Sequence, residues 1–136
     1  MLAQTSRSPS ILQISSVAAI IAAPTRALYC STKSASLSLY QSIAIEHPEI
    51  SFSLVLPGTI EGDFRASAVD KGSVREADPN KHGLKADYVA AQCIQAVDRK
   101  TKMVVLPSFY LLGHFLSLVW PSITAGLARK KYNYTV

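Results

Sequence analysis

The chain has 136 residues, of which 49% are apolar and 17% are charged, and its net charge is +5. This length fits one domain at most, and the apolar fraction excludes an intrinsically disordered chain. The chain contains 6 glycines and 7 prolines, too few for a fibrous repeat. The basic residues are scattered except at Arg99-Lys100 with Lys102 and at Arg129-Lys130-Lys131, so the charge does not indicate nucleic acid as a partner.

The residues before Glu46, the first acidic residue, are rich in serine and include an apolar run from Ile11 to Ala23. Such a stretch imitates a targeting segment. A secretory signal would be cleaved near Ala23 or Ala27, and a mitochondrial presequence would use the acid-free composition. The alternative is a short strand, Ile11 to Ser15, followed by a loop of small residues. The motifs further along the chain favour the strand.

Two helices and two more strands are predicted after this first strand. A stretch without Pro or Gly ends just before Pro48 and predicts one long helix. An alternating and then apolar run before Pro57-Gly58 predicts a buried strand, and the Gly-rich and charged stretch after it predicts a mobile flap that includes one short helix. The predicted elements are the helix Ala27 to Ile45, the strand Ile50 to Leu56, the flap Thr59 to Leu84, the helix Lys85 to Arg99 and the strand Lys102 to Leu106.

The alternation of strands and helices predicts an α/β fold with about three parallel strands and flanking helices. In such sheets, ligands bind at the carboxyl ends of the strands. The first predicted strand ends at Ser15-Ser16 and the second at Pro57-Gly58. Because parallel strands end at the same edge of the sheet, we expect the functional site there.

Three motifs at this edge have a specific order and spacing. Ser16 is followed thirteen positions later by Tyr29 in Tyr29-Cys30-Ser31-Thr32-Lys33, and Pro57-Gly58-Thr59-Ile60 follows the next strand. Together these motifs closely resemble the short-chain dehydrogenase/reductase superfamily, over about Ile11 to Leu106. The resemblance implies the carboxyl-terminal part of a Rossmann-like doubly wound parallel sheet.

The resemblance also implies a role for each of these residues. Tyr29 would be the catalytic acid/base, with Ser16 holding the substrate carbonyl. Lys33 would assist Tyr29 and bind the nicotinamide ribose of NADP or NAD. The backbone after Pro57-Gly58, around Ile60, would hold the nicotinamide carboxamide. Where the family often has a threonine shortly after that turn, this chain has Gly62.

The chemistry explains why these residue types are useful at these spacings. Carbonyl reduction needs a proton donor beside the carbon that receives hydride, and tyrosines are ordinarily poor acids, with a pKa of about 10. A lysine ammonium one helical turn away favours the phenolate, and a serine hydroxyl stabilises charge on the carbonyl oxygen. Taken singly, each residue has a simpler interpretation, as a loop serine or a half-exposed side chain.

The motifs of the family's first half are missing from the sequence. No T-G-x-x-x-G-x-G turn and no Asn-Asn-Ala-Gly segment is present, so no residues are predicted to hold a pyrophosphate. If the chain starts at Met1, we expect a truncated and inactive oxidoreductase, with residues 1–106 as a partial Rossmann-like domain and an open strand edge near Ile11. Dehydrogenase chemistry is then expected only from a longer version. The alternative is a non-catalytic fragment that associates with a membrane or a partner.

Residues 107–136 are predicted to form an apolar carboxyl-terminal helix. The stretch from Met103 to Ala128 has no charged residue and is long enough to span a bilayer. Pro107 and Pro121 divide it, which favours shallow insertion. The aromatic and basic residues at its ends suit a membrane interface: Tyr110, Trp120, Arg129, Lys130, Lys131, Tyr132 and Tyr134. The alternative is a helix packed on the body or at a dimer contact.

The apolar tail makes a lipophilic alcohol or ketone the preferred substrate, by a loose resemblance to membrane-attached members of the superfamily. We therefore expect a membrane-associated or cytoplasmic protein. The resemblance further implies a homodimer through the helix that bears Tyr29.

Other polar residues give no additional site. Cys30 and Cys93 are predicted to be buried thiols, and no residue spacing indicates a metal site. The histidines His47, His82 and His114 are dispersed and are assigned no role. Glu61 and Asp63 are interpreted as solvated loop charges.

Overall fold

The computed structural model of the chain describes residues 9–62 and 83–134, in which strands and helices alternate as predicted. A 3-10 turn at Val17–Ala19 follows the first strand. The strands are β1 (Ser10–Ile14), β2 (Ser51–Pro57) and β3 (Met103–Leu106), and the helices are α1 (Ala27–Glu46), α2 (Ala86–Asp98), α3 (Phe109–Val119) and α4 (Pro121–Lys131). Most of the predicted flap, residues 63–82, lies outside the described residues.

The three strands form one parallel sheet in the order β1-β2-β3. In the register of the sheet, Gln13 pairs with Leu54, which in turn pairs with Met103. β2 lies between the other two strands and is covered on both faces, which is why most of its residues are apolar. Two of its side chains, Val55 and Leu56, are fully buried at 0% exposure.

Helices cover both faces of the sheet and divide the core in two. On one face α2 packs on β2 and β3, and the buried residues there are Val55, Val89, Cys93, Ala96 and Leu106. On the other face α1 contributes Leu37, which packs with Leu54, Leu56 and Val105 of the sheet. This confirms the predicted α/β class, with three parallel strands and helices on both sides.

The carboxyl-terminal segment forms two helices where one apolar helix was predicted. The stretch from Met103 to Ala128 contains β3, α3 and most of α4. The break lies at Trp120, whose φ of −131° and ψ of 67° are not helical. Proline disfavours the helical conformation in the residue before it, and it suits the first turn of the next helix. Pro121 therefore ends α3 and begins α4.

In the described ranges, no helix combines the length and the apolar character that crossing a membrane requires.

The two cysteines differ in burial, which corrects the prediction that both are buried thiols. Cys93 on α2 is 4% exposed, whereas Cys30 near the start of α1 is half-buried. The sheet is shorter than the 20-residue helix α1, and the buried residue that α1 contributes is Leu37 in its middle. Cys30 lies two turns before Leu37, outside the part of α1 that is buried against the sheet.

We expect thiol reagents to label Cys30 much faster than Cys93. Burial raises the pKa of the Cys93 thiol above its ordinary value, and the thiolate is the reactive form. Labelling of the native chain by Ellman's reagent at mildly alkaline pH should show a fast and a slow phase. Cys30→Ser should remove the fast phase; loss of the slow phase instead would contradict this assignment.

Candidate active site

A cavity of about 710 Å³ lies at the carboxyl edge of the sheet. There the backbone N–H of Ser15 donates to Val55 O at 2.8 Å, so β1 and β2 end side by side. The residues predicted from the sequence all line this one cavity: Ser16, Tyr29, Lys33, Pro57, Gly58 and Ile60. The structure thus brings together three motifs that are separated by up to 44 positions in the sequence.

Ser16 is held in place by the turn that it begins. Its backbone is extended, with φ of −159° and ψ of 156°, and its Oγ accepts from the backbone N–H of Ala18 at 3.2 Å. This is the local capping role of a loop serine. The hydroxyl retains its own hydrogen, which it can donate to another acceptor in the cavity. The two interpretations of Ser16, cap and substrate contact, are therefore compatible.

The turn after Ser16 is fixed from two sides. Ser34 Oγ on α1 donates to Ala19 O at 2.8 Å. On α3, His114 Nδ1 lies 2.7 Å from Ile20 O, and because a carbonyl can only accept, the ring nitrogen donates. His114, which the sequence left without a role, therefore attaches α3 to the loop that carries Ser16.

Tyr29 and Lys33 lie one turn apart at the start of α1. The Lys33 Nζ is 5.8 Å from the centre of the Tyr29 ring. Arg26 Cζ is 5.9 Å from the centre of the same ring. Two cations beside one phenol stabilise negative charge that develops on its oxygen. Sequence analysis missed Arg26, although its position three residues before Tyr29 places it one turn away.

The Pro57-Gly58 turn packs closely against the end of β3. The N–H of Gly58 donates to Leu106 O at 2.6 Å. A Cβ at Gly58 would lie 3.1 Å from Tyr110 Cε2 and 3.3 Å from Leu106 O, a tight approach that only glycine makes without displacing its neighbours. This turn therefore forms a firm wall of the cavity.

The start of the loop after this turn is tied to its end. Glu61 N–H donates to Leu84 O at 3.0 Å, and Leu84 N–H donates to Thr59 O at 2.8 Å. The wall that contains Ile60 is thereby fixed. Glu61 itself is exposed at the cavity rim, and Asp63 lies outside the described residues.

The rest of the cavity wall is mainly apolar. Val17, Ala18 and Ile21 come from the loop after β1, Phe109 and Tyr110 from α3, and Thr124, Leu127, Ala128, Lys131 and Tyr132 from α4 and its end. No motif indicates that α4 contributes. A mainly apolar cavity with a few polar groups is typical of sites that bind small molecules.

The described part of the chain brings no three His, Cys, Asp or Glu side chains together in a way that could hold a metal ion.

Comparisons with known proteins identify the family. The family model described as short chain dehydrogenase matches residues 1–72, which is more than half of the 136 residues. A search of curated proteins found no match.

Two solved structures share the fold. One is a protein from Novosphingobium aromaticivorans assigned as a short-chain dehydrogenase, with a TM-score of 0.58 and 22% identity, over 85% of this chain and 36% of that one. The other is a short-chain dehydrogenase from Sphingobium yanoikuyae in complex with NADPH, with a TM-score of 0.59 and 20% identity, over 87% of this chain and 43% of that one. At these identities the likeness establishes the fold alone, and the chain spans less than half of either protein.

The fold is therefore part of a Rossmann-like sheet, as the motifs at the sheet edge indicated. With more than half of its residues matched by the family model, the chain belongs to the short chain dehydrogenase family.

Proposed function

We propose that this chain forms the catalytic, nicotinamide-binding part of an NAD(P)-dependent oxidoreductase that interconverts a lipophilic alcohol and the corresponding ketone. One observation carries the proposal: Ser16, Tyr29 and Lys33 line the same cavity as the Pro57–Ile60 turn. Any one of these residues has an ordinary structural explanation. Their convergence on one cavity, at the sheet edge where such folds bind ligands, supports a joint chemical role.

In the reduction direction, Tyr29 gives its phenolic proton to the substrate oxygen. The hydride that the carbonyl carbon receives is the chemistry that a nicotinamide cofactor supplies when bound. Ser16 donates a hydrogen bond to the same oxygen and stabilises its developing negative charge. Lys33 and Arg26, which both lie close to the Tyr29 ring, stabilise the phenolate that remains. Alcohol oxidation uses the same groups in reverse.

The residues present fit one end of the cofactor. Lys33 and Tyr29 would bind the ribose next to the nicotinamide, and the backbone from Gly58 to Ile60, which lines the same cavity, would hold the carboxamide. Because Gly58 lies so close to Tyr110, a larger side chain does not fit at this position of the backbone. The turn after β1, Ser15-Ser16-Val17-Ala18-Ala19, contains no glycine, so it does not offer a cradle for the pyrophosphate.

The proposal is tested by titrating the longest native form of the protein with two ligands. NADPH contains the whole cofactor, whereas reduced nicotinamide mononucleotide contains only the end that the residues above would bind. Isothermal titration calorimetry should detect both, with the mononucleotide weaker. If the protein binds neither ligand, the proposal is wrong and the alternative of a non-catalytic fragment is supported.

Lys33→Ala is expected to weaken binding of both ligands about tenfold to a hundredfold, because it removes a charged hydrogen-bond donor, worth about 1.5–3 kcal/mol. Lys102→Ala is the matched control, since Lys102 is exposed and does not line the cavity. Equal affinities for the two variants would show that Lys33 does not contact the cofactor.

A further inference from the structure

The helix α3 has its apolar side chains on its outer surface. Leu111, Leu112, Phe115, Leu118 and Val119 are each between 46% and 70% exposed, and they recur at intervals of three and four residues, so they form one stripe along the helix. We call these five residues the apolar face. A surface helix of a globular protein normally has the opposite arrangement, with its apolar stripe against the core.

The inward side of α3 combines small and polar residues with Tyr110, which packs against the core. Gly113 approaches Ile21, since a Cβ there would lie 3.4 Å from Ile21 Cδ1. Next to it, His114 donates to Ile20 O, and Ser117 Oγ donates to His114 O at 2.6 Å. The helix is therefore attached to the body by the hydrogen bond from His114 and the close packing at Gly113. None of the described residues covers its apolar face.

The next helix, α4, also has exposed apolar side chains and adds charge. Trp120, Ile123 and Leu127 are also more than half exposed, at 55%, 60% and 62%. The last turn of α4 contains Arg129, Lys130 and Lys131. Residues 103–136 include no aspartate or glutamate. The two helices thus combine exposed apolar groups with cationic groups, and neither helix contains an acidic residue.

We propose that α3 and α4 dock this protein on the surface of a membrane that contains anionic lipids. The apolar face would enter the boundary between head groups and acyl chains, with α3 in the plane of the membrane, and the basic turn of α4 would contact the head groups. Trp120 suits the same boundary. A second copy is a poorer occupant, because its own basic turn would add like charge to this surface.

Docking in this way has a consequence for substrate entry. Phe109 and Tyr110 of α3 and Leu127 of α4 line the cavity, so the helices that contact the membrane also form a wall of the cavity. A lipophilic molecule dissolved in the bilayer could then reach the cavity without crossing water. The docking itself stands independently of the proposed reaction.

The chain contains one tryptophan, Trp120, which reports directly on this surface. Mixing the full chain with vesicles of phosphatidylcholine and phosphatidylserine should shift its emission to the blue and carry the protein upward in a flotation gradient. Vesicles of phosphatidylcholine alone should recover less protein, and added salt should lower recovery on the anionic vesicles.

Two pairs of substitutions separate the contributions. Leu112→Ser with Phe115→Ser should lower vesicle binding on the order of tenfold or more, because two large apolar side chains no longer leave water. Arg129→Gln with Lys130→Gln should remove the preference for anionic lipid. The matched control, Ile45→Ser with Ile94→Ser, replaces apolar residues of other helices that are 82% and 65% exposed and should bind like the wild type.

The proposal is overturned if neither kind of vesicle binds the chain, or if the control pair loses as much binding as the α3 pair. Analytical ultracentrifugation without lipid tests whether a second copy of the chain occupies the apolar face instead. If the wild type is a dimer that the α3 pair converts to a monomer, and no vesicle binds, a second copy covers the apolar face.

Discussion

Replacing Tyr29 by phenylalanine should lower the rate of carbonyl reduction by about a hundredfold or more, because it removes the acid/base group and keeps the ring. The ring stays beside Arg26 and Lys33, as in the wild type, so the cavity should keep its shape. The rate is best measured as single-turnover NADPH oxidation by the longest native form of the protein, with a lipophilic ketone.

The chain offers a matched control for this change. Tyr40 lies on the same helix, three turns after Tyr29, and packs with its ring 6.5 Å from that of Phe52. It does not line the cavity, so Tyr40→Phe should react at the wild-type rate. A Tyr29→Phe rate within about threefold of wild type would be too small a loss for an acid/base group and would disprove the assigned role.

Leu56→Ala is expected to cost about 2–5 kcal/mol of the free energy of unfolding, through lost burial and the cavity left behind. Leu56 is fully buried at 0% exposure, in the cluster that joins α1 to the sheet. Small domains are stable by only about 5–15 kcal/mol, so this change removes a large part of the total. Urea denaturation followed by circular dichroism measures it.

Leu39→Ala makes the same chemical change at an exposed position of α1, where the side chain is 56% exposed. It should change the free energy of unfolding by no more than about 0.5 kcal/mol. If the two variants unfold at the same urea concentration, the packing of α1 on β2 described above is wrong.

Much of the fold was predictable because the signals are local. The stretch without Pro or Gly before Pro48 predicted α1, which ends at Glu46. The apolar run before Pro57-Gly58 predicted β2, since a central parallel strand is buried on both faces. For these elements the predicted bounds differ from the structure by about one residue.

The site was predictable where spacing determines geometry. Ser16 and Pro57-Gly58 end adjacent parallel strands, and Tyr29 and Lys33 are one helical turn apart. Their convergence follows from the topology, and the structure places them on one cavity. Their individual roles stay predictions until the variants are measured.

The features that the sequence could not predict depend on tertiary packing. Nothing local indicates that α4 turns back so that Leu127 and Lys131 line the cavity. The bond from His114 to Ile20 O joins residues 94 positions apart, and a lone histidine gives no sign of its partner. The exposure of the apolar face of α3 also depends on which side of the helix packs on the body, and that side includes Tyr110, Gly113 and His114.

The proposed function requires that a nicotinamide cofactor binds in this cavity. Ile14, Ile21 and Ile60 line it, whereas Ile45 and Ile94 lie on exposed helix surfaces. Isoleucine methyl groups labelled with carbon-13 therefore report on both regions in one NMR titration with NADPH. NADPH should change the methyl chemical shifts of Ile21 and Ile60 and leave those of Ile45 and Ile94 unchanged. If saturating NADPH changes only the shifts of Ile45 or Ile94, or changes none, the cofactor does not bind in this cavity.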